Sequence, residues 1–425
     1  MGNARIAVVN LGCRVNRVES DRISTDLLRA GFELVDEASA DVVIINTCAV
    51  TGEAEAKTRK AVRRALGMPP APLVIATGCA VNLHPESIAE LSPRVIVEPS
   101  KVDIVRRVRA VATPSCEHAP EELAHGVSSF LGRSRLGIKI QDGCNHRCTY
   151  CIVWKARGPE RSIPVASVLE QVREAEDSHI PEIVLTGVNL GAYDGESESD
   201  SHVELDELIS IILRRSTIPQ VRLSSIEPMD VSDRLIARLA SSERIAPFLH
   251  LPLQSGCDAT LHRMARPYTS EDFLSLVKRL REAVPSISLS CDVIVGFPGE
   301  TDEEFEESLA LCRTVGFSRM HVFRYSKRPG TPAAAAPDQV SPEVMAERSA
   351  RMRALAVEMS REDALRRVDT VESVVLETAR EGTLGSFQRV VLDTPAAVQV
   401  GSLSKVRLES VDEHGVLHGR LLDIA

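Results

Sequence analysis

LGIKIQDGCNHRCTYC, residues 136–151, runs from an apolar strand-like segment straight into three cysteines, Cys144, Cys148 and Cys151. The C-x3-C-x2-C spacing puts three thiols in one loop. A structural zinc site closes with four ligands, yet no fourth Cys or His stands at ribbon spacing nearby, and His146, inside the loop, is poorly placed to bind the same metal. Ferredoxin-type iron–sulfur clusters also take four cysteines. Three would hold a 4Fe–4S cluster with one iron open, and an open position is what separates a catalytic metal from a structural one.

Working outward, five further strand-like runs follow: EIVLTG (182–187), VRLSSIE (221–227), FLHLPLQ (248–254), LSCDVIVGF (289–297) and RMHVFRYS (319–326). Amphipathic segments such as VASVLEQVREAEDS and SEDFLSLVKRLREA separate them. Six βα units predict a (β/α)6 barrel of TIM type, complete or partial, with chemistry at the carboxyl ends of its strands. The cysteine loop directly follows the first strand. SPEVMAERSARMRALAVEMSREDALRR, from residue 341, reads as one long helix that completes a domain spanning 129–367. Beyond it, TVESVVLE, QRVVLDT, SKVRLESV and GVLHGRLL predict a small antiparallel β-barrel at 368–425.

Upstream, residues 1–111 carry IAVVN (6–10), VVIIN (42–46), LVIAT (73–77) and VIVEP (95–99). Continuous apolar runs suit a parallel sheet covered on both faces, so this region reads as a small doubly wound α/β domain. Three of its strands run into cysteines: LGC (Cys13), TC (Cys48) and GC (Cys79). In an open parallel sheet those strand ends share one edge, where ligands bind. The expectation is a shared metal site built from three distant cysteines; the alternative is three thiols packed as small hydrophobes. Residues 112–128 read as a linker, with Cys116 an incidental thiol within it.

Composition narrows the classes. With 44% hydrophobic and 26% charged residues the chain reads as globular. No apolar run nears the roughly 20 residues that cross a bilayer, and the N-terminus lacks a signal-peptide core, so a cytoplasmic location is expected. Ten cysteines there point to metal or redox chemistry rather than disulfides. The net charge of −10 excludes a uniformly basic nucleic-acid binder but not a local patch. Arg133, Arg135, Lys139, Lys155, Arg157 and Arg161 flank the cysteine loop as either a phosphate-binding collar or a solvated surface.

Other polar residues stand at barrel strand ends. Glu227, Gln254 and Arg263 could hydrogen-bond a cofactor or substrate, or serve as ordinary rim residues. In GFPGET (296–301) Gly296 could let the backbone approach a cofactor, although Thr301 and Glu304 predict a capping box that explains the segment structurally. Cys257, Cys291 and Cys312 lack ligand spacing and read as packing residues. Tyr325 could stack on a purine or belong to the core.

The cysteine loop resembles the hallmark of the radical S-adenosylmethionine (SAM) superfamily. GCRVNRVES, NTCAVTGEAEAKTR, TGCAV, QDGCNHRCTYCIVWKARGPERS, EIVLTGVNLG, LSSIEP, HLPLQSG, RMARPYT, DVIVGFPGET and HVFRYSKRPGTPAA resemble, in order and over nearly the whole chain, the motifs of its methylthiotransferase family. The closing β region is similar to that family's TRAM domain, an RNA-binding module. The resemblance implies a 4Fe–4S cluster on Cys144, Cys148 and Cys151 whose open iron binds SAM, and a second on Cys13, Cys48 and Cys79. It implies attachment of a methylthio group, one SAM supplying methyl and another the radical that removes hydrogen, with a reductant such as flavodoxin or ferredoxin. Three subfamilies modify threonylcarbamoyladenosine at position 37 of tRNA, isopentenyladenosine at the same place, or an aspartate of a ribosomal protein. LSSIEP, HLPLQSG and HVFRYSKRPGTPAA resemble the first most closely, while Trp154 and Lys155 depart from the family's usual Pro-aromatic pair. A noncatalytic zinc and RNA-binding protein is the alternative from another class.

Overall fold

The computed structural model describes residues 4–114, 134–198, 200–393 and 399–422. Most of the 112–128 linker, with Cys116, and Arg133 lie outside them. The chain forms two compact units: one comprises Met1–Leu131, Asp142–Glu160 and Ser326–Thr331, the other Gly132–Gln141, Arg161–Tyr325 and Pro332–Ala425. The cysteine loop thus groups with the N-terminal unit rather than with the strand that precedes it.

In the first unit, strands β1 (Arg5–Asn10), β2 (Glu33–Leu34), β3 (Val42–Thr47), β4 (Leu73–Gly78) and β5 (Val95–Val97) form one parallel sheet in the order β2-β1-β3-β4-β5. Alternate side chains enter two cores. Val43, Ile45, Val74 and Ala76 pack with Ala61, Val62 and Ala65 of helix α2 (Gly52–Leu66). Ile6, Val42, Ile44 and Ile75 pack with Ile23 and Leu27 of helix α1 (Arg14–Arg29), and with Ile104 and Val108. Burial on both faces is why these strands read as unbroken apolar runs.

The second unit realises the six barrel strands. β6 (Leu136–Lys139), β7 (Glu182–Thr186) and β8 (Gln220–Leu223) form one parallel sheet, and β9 (Phe248–His250), β10 (Ser288–Val295) and β11 (Arg319–Arg324) another. A parallel bridge between Ser225 and His250 joins the two. The result is a six-stranded partial barrel. The helix Pro342–Arg367 starts with Pro342 behind the Ser341 cap, as helix starts favour. Its Met352, Leu355 and Met359 enter the barrel core, whereas Ala364 enters the core of the terminal domain.

That terminal domain is a closed five-stranded barrel. The fifth strand, Glu381–Leu384, is absent from the sequence reading because EGTL is short and contains glycine. Gly382 packs so tightly that a β-carbon there would lie 2.5 Å from Val374 Cγ2. One pair, Arg389–Leu392 with Leu417–Leu421, is parallel, so the barrel is not wholly antiparallel.

Arg222 fixes the terminal barrel to β8. Fully buried, it forms a bidentate pair with Glu182 (2.9 and 2.8 Å) and donates to the carbonyls of Gly385 (2.8 Å) and Leu384 (3.1 Å). Removing one member of a buried pair strands the other charge. Arg222→Met is therefore expected to lower stability by about 3–5 kcal/mol, measured by urea unfolding, with Glu182→Leu added to it recovering part of the loss. Unchanged stability in Arg222→Met would contradict this account.

Candidate metal centre

Register brings Cys13, Cys48 and Cys79 together. β1, β3 and β4 are neighbours, Asn10 is level with Asn46, and Thr47 is level with Gly78. The residues just past those strand ends therefore share the carboxyl edge of the sheet. Cys48 and Cys79 are buried and Cys13 is exposed.

Polar side chains lock this edge. The Asn16 amide donates to the carbonyls of Leu11 (2.8 Å) and Thr47 (2.9 Å), tying the Cys13 and Cys48 loops to helix α1. Thr47 Oγ1 accepts from the N–H groups of Ala80 (3.2 Å) and Val81 (3.4 Å) in helix α3, which begins at Cys79 (Cys79–Leu83). Thr58 Oγ1 donates to the Cys48 carbonyl at 3.3 Å. Gly12, at φ +98°, lies so close that a β-carbon would stand 2.4 Å from Cys48 Sγ. Only glycine suits that conformation and that approach.

Burial pushes the Cys48 thiol up, an effect opposed by N–H groups of Val50 and Cys13 aimed at its sulfur and reinforced by the thiols of Cys13 and Cys79. Burial also raises Cys79, against the pull of Arg157 and Lys101. Cys48 thus has both Cys13 and Cys79 as electrostatic neighbours, and Cys79 has Cys13.

The second trio sits on the loop opened by Gly143, whose φ is +76° and whose added β-carbon would meet the Pro159 carbonyl oxygen at 1.9 Å. Cys144 N–H donates to the Gly158 carbonyl (3.2 Å), and Asn145 donates to Glu160 from its backbone (3.1 Å) and its amide (2.9 Å). Burial pushes the Cys144 thiol up to about 12, opposed by the His146 N–H and reinforced by Cys151, Glu160 and Cys148. His146 thus serves this trio through its backbone. The Val153 N–H donates to Cys151 Sγ at 3.4 Å, and Trp154 Nε1 donates to the Cys151 carbonyl at 3.1 Å. Arg147 lies over the Trp154 ring, 4.0 Å from its centroid.

The helix Val153–Arg157, just after the trio, packs against α3. Ala156 joins Ala49, Cys79 and Ala80 in a small apolar cluster, and the Asn82 amide donates to the Ala156 carbonyl at 2.8 Å. Arg157 closes the arrangement. Its guanidinium donates to Glu19 (2.9 and 3.1 Å), Asn16 Oδ1 (2.7 Å) and Asp142 (2.9 Å). Glu19 also pairs with Lys101. Two cations and two carboxylates thus balance in a buried cluster beside Cys79.

Both trios suit an iron–sulfur cluster. Each offers three soft thiol donors with backbone N–H groups directed at sulfur, a feature that tunes such clusters. Among the described residues no group of three or more His, Cys, Asp or Glu could hold a single metal ion. A cube of four irons spaces its thiolates more widely than one ion does.

The barrel-rim residues have partners of their own. Glu227 pairs with Arg266, which donates to the Tyr268 hydroxyl at 3.2 Å. Gln254 has φ +65° and bridges to Val293. Arg263 donates to Glu304 (3.0 Å) and to the Gly299 carbonyl (3.1 Å). Gly296, at φ +72°, donates to the buried Glu300 carboxylate at 2.6 Å, and a β-carbon there would meet Met345 at 2.1 Å. Thr301 and Glu304 form the expected capping box. Cys257, Cys291 and Cys312 are buried, and Tyr325 packs edge-on to Phe297.

The basic collar fares differently. Arg135 pairs with Glu377 and lies 4.0 Å from Glu182, and Arg157 is buried. Both stabilise the fold rather than face solvent. Asn16, Glu19, Thr47 and Lys101 escaped the sequence reading. For Asn16 and Glu19 the available signal was their spacing of three, which puts two polar groups on the same side of α1 as the buried Ile23 and Leu27.

Comparison with known proteins agrees. The model described as "Radical SAM superfamily" matches residues 138–312, and that described as "Uncharacterized protein family UPF0004" matches 5–98. The threonylcarbamoyladenosine tRNA methylthiotransferase MtaB of Bacillus subtilis (strain 168) is 37% identical over 89% of this chain and 86% of its own. The chain belongs to the radical SAM family of tRNA methylthiotransferases. A second relative, the tRNA-2-methylthio-N(6)-dimethylallyladenosine synthase of Agrobacterium fabrum (strain C58 / ATCC 33970), is 32% identical over 95% of this chain and 94% of its own. Among solved structures, the radical SAM methyltransferase TsrM of Kitasatospora setae superposes with a TM-score of 0.55 at 16% identity, covering 79% of this chain and 77% of its own, which speaks to fold alone. As a radical SAM methylthiotransferase the chain is an enzyme that uses 4Fe–4S chemistry and SAM.

Arg157 gives the first test of this site. In the protein without metal, Arg157→Met is expected to lower stability by about 3–5 kcal/mol, because Glu19 and Asp142 lose a buried counter-charge. Thermal unfolding measures it; a melting temperature equal to the parent's would show that Arg157 is not the tie described.

Proposed function

We propose that this enzyme inserts a methylthio group at C2 of N6-threonylcarbamoyladenosine at position 37 of tRNA, beside the anticodon. The observation that carries this reading is the pair of cysteine trios, each presenting three thiols and grouped in one compact unit. In it, Cys144, Cys148 and Cys151 hold the radical 4Fe–4S cluster, and Cys13, Cys48 and Cys79 hold an auxiliary one. When bound, these clusters and SAM supply a 5′-deoxyadenosyl radical and the methyl group to be joined to sulfur. The chain's own residues fix the thiols, through Asn16, Thr47 and the two tight glycines, and aim N–H groups at sulfur.

The substrate choice rests on the subfamily motifs and is supported by the MtaB relatives, at 33–37% identity against 31–34% for dimethylallyladenosine synthases. A flavodoxin or ferredoxin is the expected reductant, and the cytoplasm the expected location. Gln254 and Gly296 are the proposed points of approach to SAM or substrate, and Glu227 and Arg263 take part while held by Arg266 and Glu304. The domains run 1–111, 129–367 and 368–425 in this reading, the last as a TRAM-like module.

Mass spectrometry of tRNA nucleosides from cells lacking the gene is expected to show loss of the methylthio form of threonylcarbamoyladenosine; an unchanged level refutes the substrate. Cys48→Ala should carry about half the parent's iron, still form 5′-deoxyadenosine and transfer no sulfur. Protein purified without oxygen that is colourless and holds stoichiometric zinc would end the reading altogether.

A further inference from the structure

Helix α2 starts four residues after Cys48, capped by Thr51 Oγ1, which accepts from the Ala54 N–H at 3.1 Å. Its segment KTRKAVRR (57–64) holds five cations and no acid, in a chain whose net charge is −10. Thr58, Ala61, Val62 and Ala65 are buried, whereas Lys57, Arg59, Lys60, Arg63 and Arg64 are all exposed. At 3.6 residues per turn these five fall within about 160° of the helix circumference. Lys57 pairs with Glu53 (2.8 Å) and Arg64 with Glu37 (2.7 Å). Among the described residues Arg59, Lys60 and Arg63 have no ion-pair partner.

The spacing sets like charges against one another, although Arg63 and Arg64, in the last turn, are also favoured there by the helix dipole. Arg59 and Arg63, and Lys60 and Arg64, are like charges at i,i+4, each pair unfavourable by about 0.2–0.5 kcal/mol. A polyanion laid on the face would turn that repulsion into attraction. The face lies about 8–18 Å along the helix from its start beside Cys48, within reach of the nucleotides flanking a base held at the cysteine edge.

We infer that the exposed face of α2 binds the phosphate backbone of the tRNA substrate. The inference rests on the tRNA reading above and adds a surface to it. Arg and Lys positioned on phosphates supply affinity and orientation without reading sequence. They also release counterions, so binding weakens as salt rises.

The test uses the full chain with its clusters and tRNA carrying threonylcarbamoyladenosine without the methylthio group. Affinity is measured against salt for the parent, for the triple variant Arg59→Gln/Lys60→Gln/Arg63→Gln, and for Lys278→Gln, a surface cation of another helix. Neutralising three phosphate contacts should flatten the slope of log K against log salt by about 2–3, with at least a tenfold affinity loss near physiological salt. Lys278→Gln should match the parent. If circular dichroism shows the triple variant unfolded, Arg59→Gln and Arg63→Gln singly should each flatten the slope by about 0.7–0.9. Variants with the parent's slope and affinity, or an equal loss in Lys278→Gln, overturn the inference. A parent that binds no tRNA would instead bring down the reading beneath it.

Discussion

The first unit depends on one buried cation. Arg157 lies 138 residues from Glu19 in sequence, yet it meets Glu19, Asn16 and Asp142 through four hydrogen bonds. Asn16 in turn holds the Cys13 and Cys48 loops, so the segment bearing one cysteine trio is tied to the scaffold of the other. Four charges taken out of water are unfavourable in themselves, and replacement by apolar residues often stabilises such clusters. What apolar packing could not supply is direction. The cluster joining Ala49, Cys79, Ala80 and Ala156 is too small to fix a loop's orientation, whereas a guanidinium fork with three partners defines position and rotation together.

The same tie explains which parts of the molecule could be read beforehand. Strands buried on both faces announce themselves as apolar runs, as β3 and β4 do. The two-residue β2, with Glu33 exposed, gave no such signal, and the largely exposed β11 was legible only from its place in the strand–helix alternation. Strand-then-Cys repeats gave away the shared edge, because parallel topology alone places those residues side by side. Arg135 and Arg157 were opaque for the opposite reason. A lone arginine in sequence looks the same whether it faces solvent or a distant carboxylate, and its partners, Glu377 and Glu19, are set only by the finished fold. Glu381–Leu384 escaped because its identity as a strand comes from neighbours pairing on both sides, not from its own propensity.

Charge distribution follows a similar logic. Of the residues expected to form a basic collar, Arg135 and Arg157 sit among acidic partners and Lys155 donates to the Gly330 carbonyl, whereas three cations of one face of α2 have no ion-pair partner among the described residues. An acidic protein that uses RNA must concentrate its cations, since dispersed ones would be neutralised by the surrounding carboxylates. A helix does this economically. Its periodicity keeps five cations on one side while Thr58, Ala61, Val62 and Ala65 stay packed on the sheet.

Burial within the N-terminal trio also has a direction. Cys48 and Cys79 are enclosed and Cys13 is exposed, so the solvent-facing side of this edge is the Cys13 side. Gly12, beside it, has no room for a side chain, and the polar ties from Asn16 and Thr47 reach the same loops from behind. Rigid support on the buried side and access on the other is the arrangement a reactive centre needs. It must hold its ligands still while a large substrate approaches. Cys291 and Cys312 show the contrast: they are enclosed within the barrel core, where a thiol packs as a small hydrophobe.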